Sequence, residues 1–422
     1  MAFNLKYVEE NRDALVDSIA KRYLPFDGEE VNKLLSLYSV IKAERAELDK
    51  LRQRRNEIEL GRGKEAEKRE EAKELRVNIS QREKELEEKE AQADEIFLKI
   101  PNLLDKSVPI AKDESGNLEL KKVGDIPAKD FEVKSAEDLA ESKGLLDLES
   151  AAKISGSRFI FLKGKLVQLA LALEMYSINK LAGKGYMAVL PPLLMKEEVY
   201  KGIAHMSTFE DALYRVTGKE ETDEGVRFLI STTEHPLIAM YSNKTIDEGD
   251  LPIKLVGESP AFRKEAGAHG KDTKGMFRLH QFDQTEQIAI CKPEESSAIQ
   301  EEFLANEEEM LKELGLPYRV MLLSSGDMGV RDFKQYDLEV FMPFQKKYRE
   351  VMSNDNCTDW ISRRSNIKIA DKNGNKVYAH TVDATGLAIQ RIIKAILEVY
   401  QENDGTVKLP PAIVKYTGFS EL

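Results

Sequence analysis

The sequence predicts an α+β protein: a largely antiparallel β-sheet flanked by helices, preceded by an N-terminal antiparallel coiled-coil arm. Three observations carry this. The first hundred residues hold two heptad seams on either side of a Gly61-Arg62-Gly63 break. Beyond about residue 185, short strand-like segments recur without regular strand–helix–strand alternation. No GxGxxG or GxxxxGK[ST] string is present, which excludes a doubly wound dinucleotide fold and a P-loop.

The arm comes first. From Glu29 to Leu60 there is no glycine or proline and charge is dense. Leu34, Leu37, Ile41, Leu48, Leu51 and Ile58 fall on one seam; Ala72, Leu75, Ile79, Leu86, Ala93, Ile96 and Ile100 fall on a second, interrupted by Arg82 and Lys89. Two helices joined by a glycine turn make a hairpin over residues 29–100, roughly 45–50 Å long at 1.5 Å per residue. An arm this thin suits a lever, spacer or grip rather than an active site. Pro101 and Asn102 end it, which sets the domain boundary at 105/106.

The rest, 106–422, reads as one catalytic domain. A helix at Lys165–Leu181 leads to a buried strand, YMAVL, stopped by Pro191-Pro192. Strands are expected at Arg227–Ile230, Leu255–Lys264, Arg278–Ile290, Tyr318–Leu323, Tyr336–Phe341 and Tyr348–Met352, and an apolar helix in 380–401 through Leu387, Ile389, Ile392, Ile393, Ile396 and Val399.

Composition bounds the partners. With 63 basic and 75 acidic residues, 63 − 75 gives −12, and the pI is about 5.3. A nucleic-acid partner would need a local basic surface. Two cysteines without a CxxC pair, and five scattered histidines without HExxH, argue against zinc and for a reducing compartment. No apolar run approaches ~20 residues and no signal-peptide core is present, so a cytoplasmic protein without a membrane partner is expected.

The most informative segment is 262–286, FRKEAGAHGKDTKGMFRLHQFDQTE. As two extended strands around a polar loop, it puts Arg263 and Glu265 on one face, and Phe282, Gln284 and Glu286 on one face. If the ladder numbers sum to about 548, Arg263 lies near Glu286 and Glu265 near Phe282. One end then suits a purine and its amino group, the other a phosphate and an ammonium. Phe282 to Glu286 spans roughly 13 Å at ~3.3 Å per residue, about the reach of a nucleotide with a small molecule beyond its α-phosphate. An exposed hairpin of mixed charge has the same periodicity. Thr232-Thr233-Glu234, read as extended, faces a hydroxyl and a carboxylate the same way, to hold an ammonium and read a hydroxyl; the same residues also suit a helix start before Pro236. Glu350 and Ser353 offer oxygens of the kind magnesium takes, although a spacing of three needs a turn or bulge. Arg391 sits awkwardly in an apolar helix unless it snorkels.

F-R-x-E-A-G followed by H-Q-F-x-x-x-E resembles motif 2 of class II aminoacyl-tRNA synthetases, in the version of the seryl-tRNA synthetases. The likeness extends to the helix–strand–proline run (motif 1), the T-x-E element, Y-R-E-V-M-S, residues 380–401 (motif 3) and the arm with its IPN and SVP elements, covering essentially the whole chain. It implies a homodimeric ligase of the class II fold that activates L-serine with ATP and Mg²⁺ and esterifies tRNA(Ser), with tRNA(Sec) as a further acceptor. Arg263, Arg391 and Glu350 are then catalytic. ATP falls to Arg263, Lys264, Glu265, Arg278, Phe282, Glu350, Val351, Met352, Ser353 and Arg391. Serine falls to Thr232, Thr233, Glu234, Arg263, Glu286 and Thr385, and the metal to Glu350 and Ser353. Arg52, Arg54 and Arg55 on the arm would grip the tRNA's long variable arm across the dimer, and Lys271 and Lys274 its acceptor end. Two departures stand out: Met352 replaces a more usual serine, and Asp383 the usual asparagine, where a helix N-terminus would stabilise the acid. Two rivals remain. A paralogue loading a carrier protein would not be expected to keep the arm, and a non-catalytic scaffold would not be expected to keep all the motif residues.

Overall fold

In the computed structural model the described residues are 5–60, 66–204, 210–217, 225–265 and 275–422. The chain divides into two compact units, Met1–Leu103 and Leu104–Leu422.

In the first unit, helices Glu29–Leu60 and Ala66–Lys99 form the hairpin. The seam positions Leu34, Ile41, Leu48, Ala72, Ile79, Ala93, Ile96 and Ile100 are buried, as a 3–4 repeat requires of two helices that cover each other. Antiparallel pairing is fixed by cross-helix ion pairs, Arg45 with Glu90 and Arg52 with Glu83. Arg82 and Lys89, the seam's interruptions, both reach Glu44 on the facing helix, at 3.3 and 3.4 Å. A slip of one heptad would strand these charges among apolar side chains, so this polar layer specifies the register. Where Val8, Leu15 and Ile19 of the first two helices join the base of the hairpin, they enlarge its core.

The second unit is built on an eight-stranded sheet: β1 (Leu118–Val123), β2 (Met187–Val189), β3 (Ile253–Phe262), β4 (Gln281–Cys291), β5 (Tyr318–Leu322), β6 (Lys334–Met342), β7 (Lys347–Thr358) and β8 (His380–Ala388). Their order is β1-β5-β6-β7-β8-β4-β3-β2. All pairs are antiparallel except β2 with β3. Side chains alternate across this sheet. Thr285 and Gln287 bond Ser177 and Asn306, on helices Lys165–Ala182 and Ser296–Glu313. Gln284 and Glu286 are therefore left on the other face, which carries the site.

Three sequence expectations change here. β2 is an edge strand, with Met187 62% and the following Leu190 77% exposed, not a buried one. Residues 380–388 are a strand, so Leu387 lies in β8 and the helix starts at Ile389. Thr381, Val382 and Thr385 are β-branched and favour the sheet. Thirdly, β3 and β4 pair with numbers summing to 543 (Phe282 opposite Ala261, Glu286 opposite Gly257), five below the expected register. Apolar matching sets it: Leu255 lies across from Ile288, and both are fully buried.

Candidate active site

One cavity of about 450 Å³ opens on the face of β4, β7 and β8 away from helices Lys165–Ala182 and Ser296–Glu313. Of the residues singled out from sequence, Thr232, Glu234, Arg263, Glu265, Arg278, Phe282, Glu286, Glu350, Val351, Ser353, Thr385 and Arg391 line it. Three do not. Thr233 is fully buried, with its hydroxyl on Ser259; Lys264 is exposed, with its ammonium over Tyr214; Met352 packs in the core opposite Leu338. Lys271 and Lys274 lie outside the described residues.

Two bulges aim the side chains. Between Gln284–Thr285 and Glu286 the β4–β8 register shifts at Gly386, leaving Glu286 directly opposite Thr385. A Cβ at Gly386 would meet the Thr285 hydroxyl at 2.4 Å, which reserves the position for glycine. A second shift lies in β7 at Val351, between the pairs Leu338–Met352 and Glu339–Glu350. It supplies the bulge that a Glu350–Ser353 spacing of three requires, and both residues face the cavity.

The shifted register rearranges motif 2. Arg263 and Glu265 lie just past the ladder's end. The Arg263 guanidinium sits over the Phe282 ring at 5.1 Å, and its Nε donates to the Ser231 carbonyl at 3.0 Å. Glu265 pairs with Arg278 at 2.7 Å, not with the Phe282 end. Arg263 thus neighbours the aromatic ring rather than lying cross-strand from Glu286, although the charges of Glu265, Glu350 and Glu286 all act on it. Arg391 is no snorkelling side chain: it lies 4.6 Å from the Phe277 ring and donates to Glu350 at 3.0 Å. Phe277, which the sequence did not single out, carries Arg349 as well, at 3.9 Å.

Thr232-Thr233-Glu234 is not extended. Helix Glu234–Ala239 starts at Glu234, whose N–H donates to the Thr232 hydroxyl at 3.3 Å. Pro236 sits in the first turn, where a missing N–H costs nothing. The hydroxyl and the carboxylate still both reach the cavity, because the turn folds one back over the other. Gly257 allows this: a Cβ there would meet Leu237 at 2.4 Å and Thr233 at 2.8 Å. His235, fully buried behind Glu234, bonds Tyr200 at 3.0 Å, and burial pulls its pKa down to about 4, so the ring is neutral.

The largest omission from the sequence reading is Arg331. Its guanidinium pairs with Glu234, with Asp355 at 3.0 Å, with Asp383 at 2.9 Å and with Asp332 at 3.2 Å. Asp383 is therefore held by Arg331 in mid-strand, opposite Ile288 and Asp355, and not by a helix N-terminus. Burial would raise the Glu234 pKa, but the charge and hydrogen bonds of Arg331 outweigh it and hold the carboxyl below its usual range. Glu286 is pushed well up by burial and by Glu234 and Asp383, with Arg263 and Arg331 opposing. An Arg-Asp pair between two strand segments carries no periodic signal, and only its partners reveal it.

For a magnesium ion the donor set fits. Glu350 and Ser353 offer carboxylate and hydroxyl oxygens, and Asp337, cross-strand from Ser353, has a buried Oδ1 without a partner. Among the described residues no group of three or more His, Cys, Asp or Glu is placed to cage a metal. One or two carboxylates plus substrate phosphates is how Mg²⁺ is ordinarily held.

On the arm, Arg52 is paired with Glu83 and Asp49, Arg54 with Glu71, and Arg55 lies 4.0 Å from Glu59. Both cysteines are buried free thiols, and no helix among the described residues is long and apolar enough to cross a membrane.

Comparison with known proteins agrees with this geometry. Residues 214–400 match the tRNA synthetase class II core domain (G, H, P, S and T), and residues 3–104 the seryl-tRNA synthetase N-terminal domain. The serine–tRNA ligase of Methanocella arvoryzae is 40% identical over 98% of each chain, and that of Pyrococcus horikoshii 38% identical over 99% of this chain and 97% of its own. The crystal structure of seryl-tRNA synthetase from Pyrococcus horikoshii complexed with ATP superposes with a TM-score of 0.88 at 37% identity, covering 99% and 98% of the two chains. The cytoplasmic enzyme of Naegleria fowleri in complex with AMP gives 0.84 at 32%, covering 99% and 97%.

Proposed function

The chain belongs to the seryl-tRNA synthetase family, and on that premise we propose how its residues divide the work of a serine–tRNA ligase. The observation that carries the reading is that Arg263, Phe282, Glu286, Glu350, Ser353, Thr385 and Arg391 converge on one cavity from four separate segments.

Serine's ammonium is taken by Glu234 and Thr232. Its hydroxyl is read by Glu286 and Thr385, which face each other across β4 and β8. A pocket that bonds the hydroxyl rejects alanine strongly, because losing that group strands buried polar partners. The carboxylate attacks the α-phosphate of ATP in line and pyrophosphate leaves; the acyl group then passes to a hydroxyl of the tRNA's terminal adenosine. No side chain forms a covalent bond, so the chain contributes positioning and charge. Arg263, anchored on Ser231, meets the α-phosphate, and Arg391 the terminal phosphates. Glu350, with Ser353, would hold Mg²⁺, which when bound would neutralise phosphate charge. The Arg391–Glu350 pair would open as each takes its ligand.

Two further assignments rest on surfaces. Val167, Leu171 and Met175 form an exposed apolar stripe at i, i+4, i+8 on helix Lys165–Ala182; with Met187 and Leu190 it supports association with a second copy. The arm would bind tRNA(Ser), its exposed arginines exchanging carboxylate partners for phosphates at little cost.

The test is ATP–pyrophosphate exchange across a panel of amino acids, then charging of tRNA. Exchange with serine alone and esterification of tRNA(Ser) are expected. Activation of another amino acid, or acyl transfer to a carrier protein but not to tRNA, would overturn the reading.

A further inference from the structure

One guanidinium, Arg331, touches four carboxylates beneath the amino-acid end of the cavity. Its Nη atoms hold both oxygens of Glu234, and Nη2 also reaches Asp355 at 3.0 Å and Asp383 at 2.9 Å. Its Nε pairs with Asp332 at 3.2 Å, and that carboxylate and Asp383 both contact the Cys357 thiol, at 3.3 and 3.5 Å. Glu286 adds a fifth acid to the same wall. Among the described residues, the cations that act on Glu286 are Arg263 and Arg331. An acid-rich floor of this kind favours a cationic side chain, yet serine presents a neutral hydroxyl.

We propose that Arg331 is a positioning and specificity-determining residue: it fixes Glu234 for the substrate's ammonium and neutralises Asp355 and Asp383, so that the pocket takes a hydroxyl in preference to an ammonium of the same size. The proposal rests on the assignment of the Thr232–Glu234–Glu286–Thr385 end to serine. Two contacts to Glu234 give a bidentate pair, which sets orientation as well as charge. Where Arg331 is lost, Glu234 keeps its place in the helix but not its direction. Burial and neighbouring carboxylates already disfavour the charged forms of Asp355 and Asp383, and Arg331 opposes this; without it, a second ammonium on the substrate is the counter-ion that lets them ionise. Discrimination here is by repulsion as much as by fit.

The discriminating substrate is L-2,3-diaminopropionate, which carries an amine where serine carries its hydroxyl. Pyrophosphate exchange is measured with it, with serine and with alanine, in mildly acidic buffer that keeps the second amine protonated. Full-length wild type is compared with Arg331→Met, which keeps length without charge, and with Arg331→Lys. Arg331→Met should raise the KM for serine roughly tenfold, the scale of one lost hydrogen bond to a charged group, while the KM for ATP stays within about twofold. The ratio of kcat/KM for diaminopropionate over serine should rise roughly tenfold, alanine should not gain, and Arg331→Lys should recover part of both changes. Should Arg331→Met fail to fold, the triple variant Arg331→Met, Asp355→Asn, Asp383→Asn removes the cation together with two of the carboxylates it pairs with, so neither is left as an unpaired charge. It should still raise the serine KM, because Glu234 is released, but should show no gain for diaminopropionate. A folded variant that keeps both the serine KM and the substrate ratio within about twofold would overturn the role of Arg331. A wild-type chain that activates no serine would instead overturn the function on which the proposal rests.

Discussion

Arg263→Ala probes the catalytic assignment where the structure constrains it most. The guanidinium is held from two sides, by the Ser231 carbonyl at 3.0 Å and by the Phe282 ring at 5.1 Å. Burial and the nearby Arg391 pull its pKa down, and Glu265, Glu350 and Glu286 offset part of this. A cation fixed this way needs no rearrangement when charge develops on the α-phosphate, so its removal should lower kcat by about 10²–10³, or ~3–4 kcal/mol of transition-state stabilisation. Folding should suffer far less. The lost charged hydrogen bond and ring contact are worth roughly 1.5–3 and 0.5–2 kcal/mol. The desolvation of a buried charge disappears with them and offsets most of that, leaving a net change on the order of 1 kcal/mol. The assay is serine-dependent pyrophosphate exchange with serine and ATP varied independently, beside thermal denaturation. Arg263→Lys keeps charge but not the Nε contact to Ser231, and should fall between wild type and alanine. If Arg263→Ala kept its turnover number and only lost affinity, Arg263 would be a ground-state binder and the reasoning would fail.

Three other expectations follow from the same geometry. Glu286→Ala should abolish serine activation while leaving ATP binding intact, since Glu286 faces Thr385 and not the Phe277–Arg391 end; serine-dependent exchange near the wild-type rate would refute the assignment. His235 has a folded pKa of about 4 against 6.5, so the unfolded chain binds its proton first. Its neutral form contributes full stability above pH ~6.5, a contribution lost progressively toward pH ~4 and worth on the order of 3 kcal/mol. Chemical denaturation between those limits should show a flatter pH slope for His235→Gln than for wild type, and equal slopes would refute the burial argument. Deleting Val31–Leu98 with a short glycine-rich closure should spare serine activation and collapse tRNA charging, because the hairpin seams bury against each other. Restored charging in a mixed dimer of an armless chain and an Arg263→Ala chain would show that each arm serves the other subunit; failure with dimer formation verified would assign it to its own.

Much of this molecule is local in origin, and that part was legible in the residues. A 3–4 seam is a property of neighbours along one helix, so Leu34 through Ile100 announced the hairpin, and Arg82 and Lys89 stood out as its interruptions. Face-sharing two apart on a strand is likewise local: Phe282, Gln284 and Glu286 do share the cavity face. Even the bulge near Val351 was implied by a spacing of three between Glu350 and Ser353. Register is not local. The polar loop between β3 and β4 does not fix which residues meet; burial of Leu255 against Ile288 does, and it moved the ladder by five. That shift placed Arg263 on Phe282 and Glu265 on Arg278. The turn at Thr232 was decided by Pro236 and by the space Gly257 leaves, a contact between separate elements. Arg331 is the extreme case. Its partners Glu234, Asp383 and Asp355 lie 97, 52 and 24 residues away, on a helix start and two strands, and nothing in the pattern around Val330-Arg331-Asp332 anticipates them. An ion network needs its charges close in space, and only the folded sheet, with β7 beside β8 and the first turn of helix Glu234–Ala239 nearby, brings them within reach of one guanidinium.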